Sequence, residues 1–110
     1  MEAQSKPQQG NFIHIVTLNC KDSEHTKQCL NALANYGKPD ALSFGCSSYE
    51  FGLKSGSTDT VYIIERWKDW TNLDALLQAK VIPALPMYNQ LLKTPFNPAT
   101  DTLRIELSDN

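Results

Sequence analysis

The stretch Thr60-Val61-Tyr62-Ile63-Ile64-Glu65-Arg66-Trp67 decides the fold. Along an extended chain successive side chains alternate faces. Val61, Ile63, Glu65 and Trp67 therefore share one face, and Tyr62, Ile64 and Arg66 share the other. Large apolar groups stand on both, so this is a strand covered from two sides. Ser55-Gly56-Ser57-Thr58-Asp59 before it is a turn signal, and 41–54 before that reads as another strand. The two pair as an antiparallel hairpin.

Working outward, 12–20 is a strand of the same two-sided kind. Phe12, His14, Val16 and Leu18 line one face; Ile13, Ile15 and Thr17 line the other. Asp22 or Ser23 caps a helix running to about 36. Its expected buried stripe is Thr26, Cys29, Leu30, Leu33 and Tyr36, and Gly37 with Pro39 ends it. After Trp67, Asp69 caps a second helix to about 80 with Leu73, Leu76 and Leu77 inward. Pro83 and Pro86 make 81–92 either a kinked continuation or a short extra helix. A last strand covers 102–107. The order β-α-β-β-α-β predicts an α+β, ferredoxin-like antiparallel sheet with helices on one face. Two helices cover only one face of four strands. A second copy of the same sheet is the simplest cover for the other, so a homodimer joined through the sheets is expected.

Composition agrees with an ordinary globular domain. The 110 residues are 41% apolar and 20% charged, with no need of disulfides to hold a core. Residues 1–10 read as a flexible leader without a signal-peptide core, and 11–107 as one domain. Ten Lys plus Arg against twelve Asp plus Glu leave a net charge of −2. That balance argues against nucleic acid as a partner. The longest charge-free apolar stretch, 81–92, is too short for a membrane span. Cys20, Cys29 and Cys46 form no CxxC pair and no zinc spacing, so they read as free thiols in a reducing, cytoplasmic compartment. No P-loop, GxGxxG, HExxH or GxSxG occurs.

Two stretches resemble a known family. Gly45-Cys46-Ser47-Ser48-Tyr49-Glu50 is similar to the G-C-x-S-Y-E strand of the antibiotic biosynthesis monooxygenase domains. Glu65-Arg66-Trp67-Lys68-Asp69, with Leu73, is similar to their E-x-W-x-(S/D)-x-x-x-L passage from strand three into helix two. The resemblance covers about 11–107 and implies the dimeric α+β barrel. It implies less about chemistry, because that superfamily hosts cofactor-free monooxygenases, cyclases, haem-degrading enzymes and proteins without a reaction. Many members carry a helix histidine nine residues after the motif tryptophan; here that position is Leu76. Ala84-Leu85-Pro86-Met87 lacks the histidine that ligates haem iron in the haem-degrading members. No metal site is expected. Alignment with the first-strand end of the cyclase members puts one of their histidines on His14.

The candidate catalytic residues are His14 and Trp67. The resemblance implies that Trp67 borders a cavity between sheet and helices. Indole there offers a flat wall and one N–H for a developing oxyanion; the alternative is a core tryptophan under helix two. A half-buried, neutral His14 can act as general base; the alternative is a structural histidine. Tyr49, Tyr62 and Tyr88 are candidate substrate-orienting phenols. Met87 and Leu76 are candidate apolar walls, within a proline-broken, charge-free segment suited to an aromatic ligand. Glu65 needs a partner on its face. Arg66 is placed to pair across a dimer, Trp70 is a surface or interface anchor, and His25 is a solvated helix residue. The expected activity is a cofactor-independent monooxygenase on a small hydrophobic aromatic or polyketide-type molecule, with no cofactor. The alternatives are a polyketide cyclase or lyase using the same pocket without oxygen, and a non-enzymatic dimeric binding protein.

Overall fold

The computed structural model describes residues 11–108. The 1–10 leader and the Asp109-Asn110 tail lie outside them. Four strands, β1 (Phe12–Asn19), β2 (Ser48–Leu53), β3 (Thr60–Trp67) and β4 (Thr102–Glu106), form one antiparallel sheet in the order β2-β3-β1-β4. The predicted β3 bounds match. The hairpin before it closes with Lys54 N–H donating to Thr60 O at 2.9 Å, and Gly56 at its tip has φ +82°, open only to glycine at low cost.

The helices differ from expectation at their middles. Helix α1 (Ser23–Ala32) starts as read: the Asp22 side chain accepts from His25 N–H. It does not end at Gly37. A π-turn (Leu33–Gly37), with Lys38 N–H bonded to Leu33 O, leads into α2 (Lys38–Ser43). The strand expected from 41 therefore begins only at Ser48. Gly45, at φ +101°, turns the chain into it; a Cβ there would lie 2.7 Å from Asn72 Nδ2. Tyr36, expected in the buried stripe, is 64% exposed, because the π-turn shifts the helical phase after Leu33.

The second helical arm repeats the device. Asp69 caps α3 (Trp70–Leu76) by accepting from Thr71 N–H at 2.9 Å. A π-turn (Leu77–Val81), closed by Ile82 N–H on Leu77 O, continues into α4 (Ile82–Asn89). Of the two readings of 81–92, the structure takes the kinked continuation. The chain then returns to the end of β1 through a Cys20–Leu92 bridge. A short α5 (Pro98–Asp101), capped by Asn97, precedes β4; one helical turn is too brief to show a period in the sequence.

The core lies between the helices and one sheet face. Phe12, Val16, Leu18, Val61, Ile63 and Trp67 meet Leu33, Leu73 and Leu76 there. Each fully buried large side chain contributes about 1.5–3 kcal/mol. The three cysteines are free and buried. Among the described residues the other sheet face is bare: Ile64, Leu103 and Ile105 are 44%, 57% and 41% exposed. No helix among the described residues is long and apolar enough to cross a membrane.

Candidate functional site

Strand register builds the site. Tyr49 pairs with Glu65, Glu65 with His14, and His14 with Arg104. These four residues form one row across β2, β3, β1 and β4, all on the helix-facing side. The row spans about 14 Å, since neighbouring strands lie about 4.8 Å apart. It borders a cavity of about 570 Å³ between sheet and helices. On one side of the row the sheet wall is apolar, with Val16, Leu18 and Ile63. The helices add Leu33, Leu73, Leu76, Leu77 and Tyr88. Both π-turns contribute lining residues, and such turns recur at functional sites.

Glu65 organises the centre of the row. It is 6% exposed, and one carboxylate oxygen accepts from Trp67 Nε1–H at 2.9 Å. His14 Nδ1 lies 3.1 Å from the same oxygen. A carboxylate only accepts, so this contact fixes the proton on Nδ1 and leaves the Nε2 lone pair as the basic site. A proton taken up at Nε2 makes an imidazolium against the Glu65 charge. His14 therefore has the arrangement of a general base backed by a carboxylate.

Tyr49 ends the row on β2. It is 4% exposed, yet among the described residues its hydroxyl has no hydrogen-bond partner. Burial first, and then the Glu65 charge, push its pKa well above the ordinary tyrosine range. The hydroxyl is thus a neutral donor waiting for an acceptor. Gly37 makes room for it: a Cβ there would sit 2.8 Å from Tyr49 Oη. Burial also pushes Tyr88 up to about 12 and Cys46 up to about 11. Cys46 Sγ is held by Ser48 O and Arg66 O, away from any nucleophilic task.

The sequence-predicted residues divide three ways. His14, Tyr49, Leu76, Met87 and Tyr88 come together on the cavity. Met87, 41% exposed, stands at its mouth. Trp67 is fully buried, does not line the cavity, and has its N–H engaged by Glu65. Its link to His14 runs through the shared Glu65 carboxylate oxygen. Tyr62 stands apart from the cavity: alternation along β3 puts it on the opposite sheet face, over a shallow recess with Glu50, Gly52 and Ile64. Trp70 packs under Arg104 at the cavity rim. Sequence reasoning missed Gly37, Asp40 and Arg104 as lining residues, and it left Glu65 as a charge in need of a partner. No cluster of three or more His, Cys, Asp or Glu among the described residues could hold a metal ion.

No protein-family model matches the chain, and no curated protein matches it in sequence. Solved structures do match. Protein SO0527 from Shewanella oneidensis is 17% identical with a TM-score of 0.72, covering 93% of this chain and 95% of its own. A monooxygenase from ActVA-Orf6 of Streptomyces coelicolor, in complex with nanaomycin D, is 14% identical with a TM-score of 0.70, covering 96% and 93%. A candidate antibiotic biosynthesis monooxygenase from Chloroflexus aurantiacus is 15% identical with a TM-score of 0.67, covering 92% and 96%. The chain has the antibiotic biosynthesis monooxygenase fold. At these identities the likeness is one of fold. In that fold as this chain builds it, the sheet-to-helix cavity is roofed by the two π-turned arms and floored by the polar row.

Proposed function

We propose that the chain belongs to the antibiotic biosynthesis monooxygenase family. It acts as a cytoplasmic, cofactor-independent monooxygenase on a small hydrophobic aromatic or polyketide-type substrate. The observation that supports this most is a carboxylate-backed histidine on the floor of an apolar cavity. An anthrone or electron-rich phenol loses a proton to His14 Nε2. The carbanion passes one electron to dioxygen, and the resulting radical pair combines to a peroxide. The peroxide takes the proton back from His14. It then loses water as the carbon gives up its second hydrogen, leaving the carbonyl of a quinone. No cofactor is needed, because the substrate carbon supplies all four electrons: two in forming the peroxide and two more as its O–O bond breaks. Apolar walls hold the ring; Tyr49 and Tyr88 orient it. The working form is a homodimer. Its support is the bare face carrying Ile13, Ile15, Tyr62, Ile64, Leu103 and Ile105, which an isolated chain leaves to water.

The test is a panel of anthrones and phenolic polyketides with dissolved oxygen and product mass followed together. Expected are oxygen uptake and a product heavier by one oxygen and lighter by two hydrogens. His14→Ala lowers turnover about 100-fold, the scale of a lost general base. Turnover with water or carbon dioxide lost and oxygen untouched assigns the pocket to a cyclase or lyase. Binding without turnover assigns it to an accessory protein.

A further inference from the structure

The β4 end of the polar row has no part in proton transfer, and its chemistry differs from the rest of the cavity. Arg104 lies beside His14 in register, and its guanidinium is clamped. The guanidinium carbon is 4.0 Å above the Phe12 ring and 5.1 Å from the Trp70 ring. Its Nε forms an ion pair with Glu106 Oε2 at 2.6 Å. Among the described residues the terminal nitrogens have no hydrogen-bond partner, so the outer fork of a rigidly held cation borders the cavity. Such a fork matches a carboxylate, and aromatic stacking removes much of the entropy lost on binding.

We propose that the cavity selects ligands carrying an anionic group, a carboxylate above all, held by Arg104 at the β4 rim. The apolar body then lies along the row over His14, and an oxygen acceptor on it meets the buried Tyr49 hydroxyl. This rests on the reading of the cavity as an aromatic-ligand site and adds the ligand's charge and direction. Three observations support it. The Arg104 side chain is 32% exposed, so an anion there keeps part of its hydration and avoids the cost of full burial. Asp40 borders the cavity towards Tyr88, where its charge repels a carboxylate entering the wrong way round. Tyr49, buried without a partner, gains its missing hydrogen bond only if the other end of the ligand offers an acceptor.

The experiment compares two probes of one shape, anthraquinone-2-carboxylate and anthraquinone-2-carboxamide, titrated into full-length protein by calorimetry. The acid is expected to bind about tenfold tighter than the amide, the low end for a hydrogen bond to a charged group. Arg104→Gln is expected to erase that preference. Arg104→Lys retains part of it. Glu106→Gln, which leaves the arginine in place and removes its internal counter-charge, raises the preference for the acid; this variant keeps the test alive if Arg104→Gln fails to fold. Equal affinities in the unaltered protein, or a preference that survives Arg104→Gln, overturn the anion site and leave the aromatic pocket standing. Failure of both probes to bind overturns both.

Discussion

The two faces of the sheet use the same strands and solve opposite problems. The helix-covered face buries a carboxylate and a histidine among apolar residues, and each is matched: Glu65 accepts from both Trp67 and His14. The bare face carries apolar residues that no described residue covers, Leu103 and Ile105 among them. The covered face thus places polar groups where water is absent, and the bare face exposes apolar groups where water is present. Both are costly to a lone chain. Under the proposed function, proton transfer at His14 is what the first cost serves, and a second copy of the chain relieves the other.

Substitutions can break this contrast. The largest effect is expected on the covered face. Glu65→Ala leaves the Trp67 N–H buried without an acceptor and frees the His14 tautomer. It should lower stability by about 3 kcal/mol, the scale of a broken buried polar pair, in urea unfolding followed by tryptophan fluorescence. A loss below about 1 kcal/mol, the size of one ordinary hydrogen bond, would mean that Glu65 is not the organiser of the row.

Alkaline pH attacks the same face more gradually. The buried phenols and thiols are neutral in the folded chain, with Tyr88 at about 12 and Cys46 at about 11. When unfolded they ionise near about 10 and about 8.5. Their contribution is therefore complete below the unfolded values and is lost as pH rises through the folded ones. Tm should decline from about pH 9 upward, less so in Tyr49→Phe combined with Tyr88→Phe. A Tm flat to about pH 11 in the unaltered protein would contradict the burial described.

A smaller effect sharpens the role of the unpartnered phenol. Gly37→Ala gains helix propensity but drives a methyl to 2.8 Å from Tyr49 Oη and 3.1 Å from Leu33 Cδ2. The net cost should be about 1 kcal/mol, crowding outweighing propensity. Adding Tyr49→Phe removes the nearest atom, so the double variant should be more stable than Gly37→Ala alone. Thermal unfolding of both decides it; additive losses would show that Tyr49 Oη lies elsewhere.

The smallest change in chain stability is expected on the bare face, within about 0.5 kcal/mol for Ile64→Asp. Assembly is where that variant should act. Sedimentation of Ile64→Asp with Ile105→Asp should give a monomer where the unaltered chain gives a dimer. A dimer that survives both aspartates would place the contact on another surface.

The sequence was most legible where period and punctuation agreed. The alternation of 60–67 located β3 to the residue, and Asp22 and Asp69 marked both helix starts because a short acceptor before an amphipathic run has few other uses. It misled where punctuation pointed against period. Gly37 with Pro39 signals a helix end, but a π-turn sits just before each proline pair, at Lys38-Pro39 and Ile82-Pro83. Proline has no N–H for the carbonyl four residues back. Those carbonyls belong to Asn35 and Ala79, both exposed residues, so the lost bond falls on the solvent side and the helix continues. In the site, His14 and Tyr49 were legible as polar residues in apolar strands. Arg104 was not, because it joins them only through strand pairing between residues 90 apart in the chain. Tyr62 was grouped with the cavity residues for its phenol, although its parity along β3 already put it on the other face.

Each π-turn holds one residue more than the α-helix needs. In an α-helix one residue is about 100° of rotation. The extra residue is therefore a rotary offset that re-aims everything after it, and it sets which flank of α4 looks into the cavity. Deleting Ala79 alone removes no lining side chain, yet it turns Ile82–Asn89 by that angle and carries Tyr88 off the cavity wall. The aim of α4 into the cavity is in this sense encoded in a residue count, which a single insertion or deletion would reset without altering any residue of the polar row.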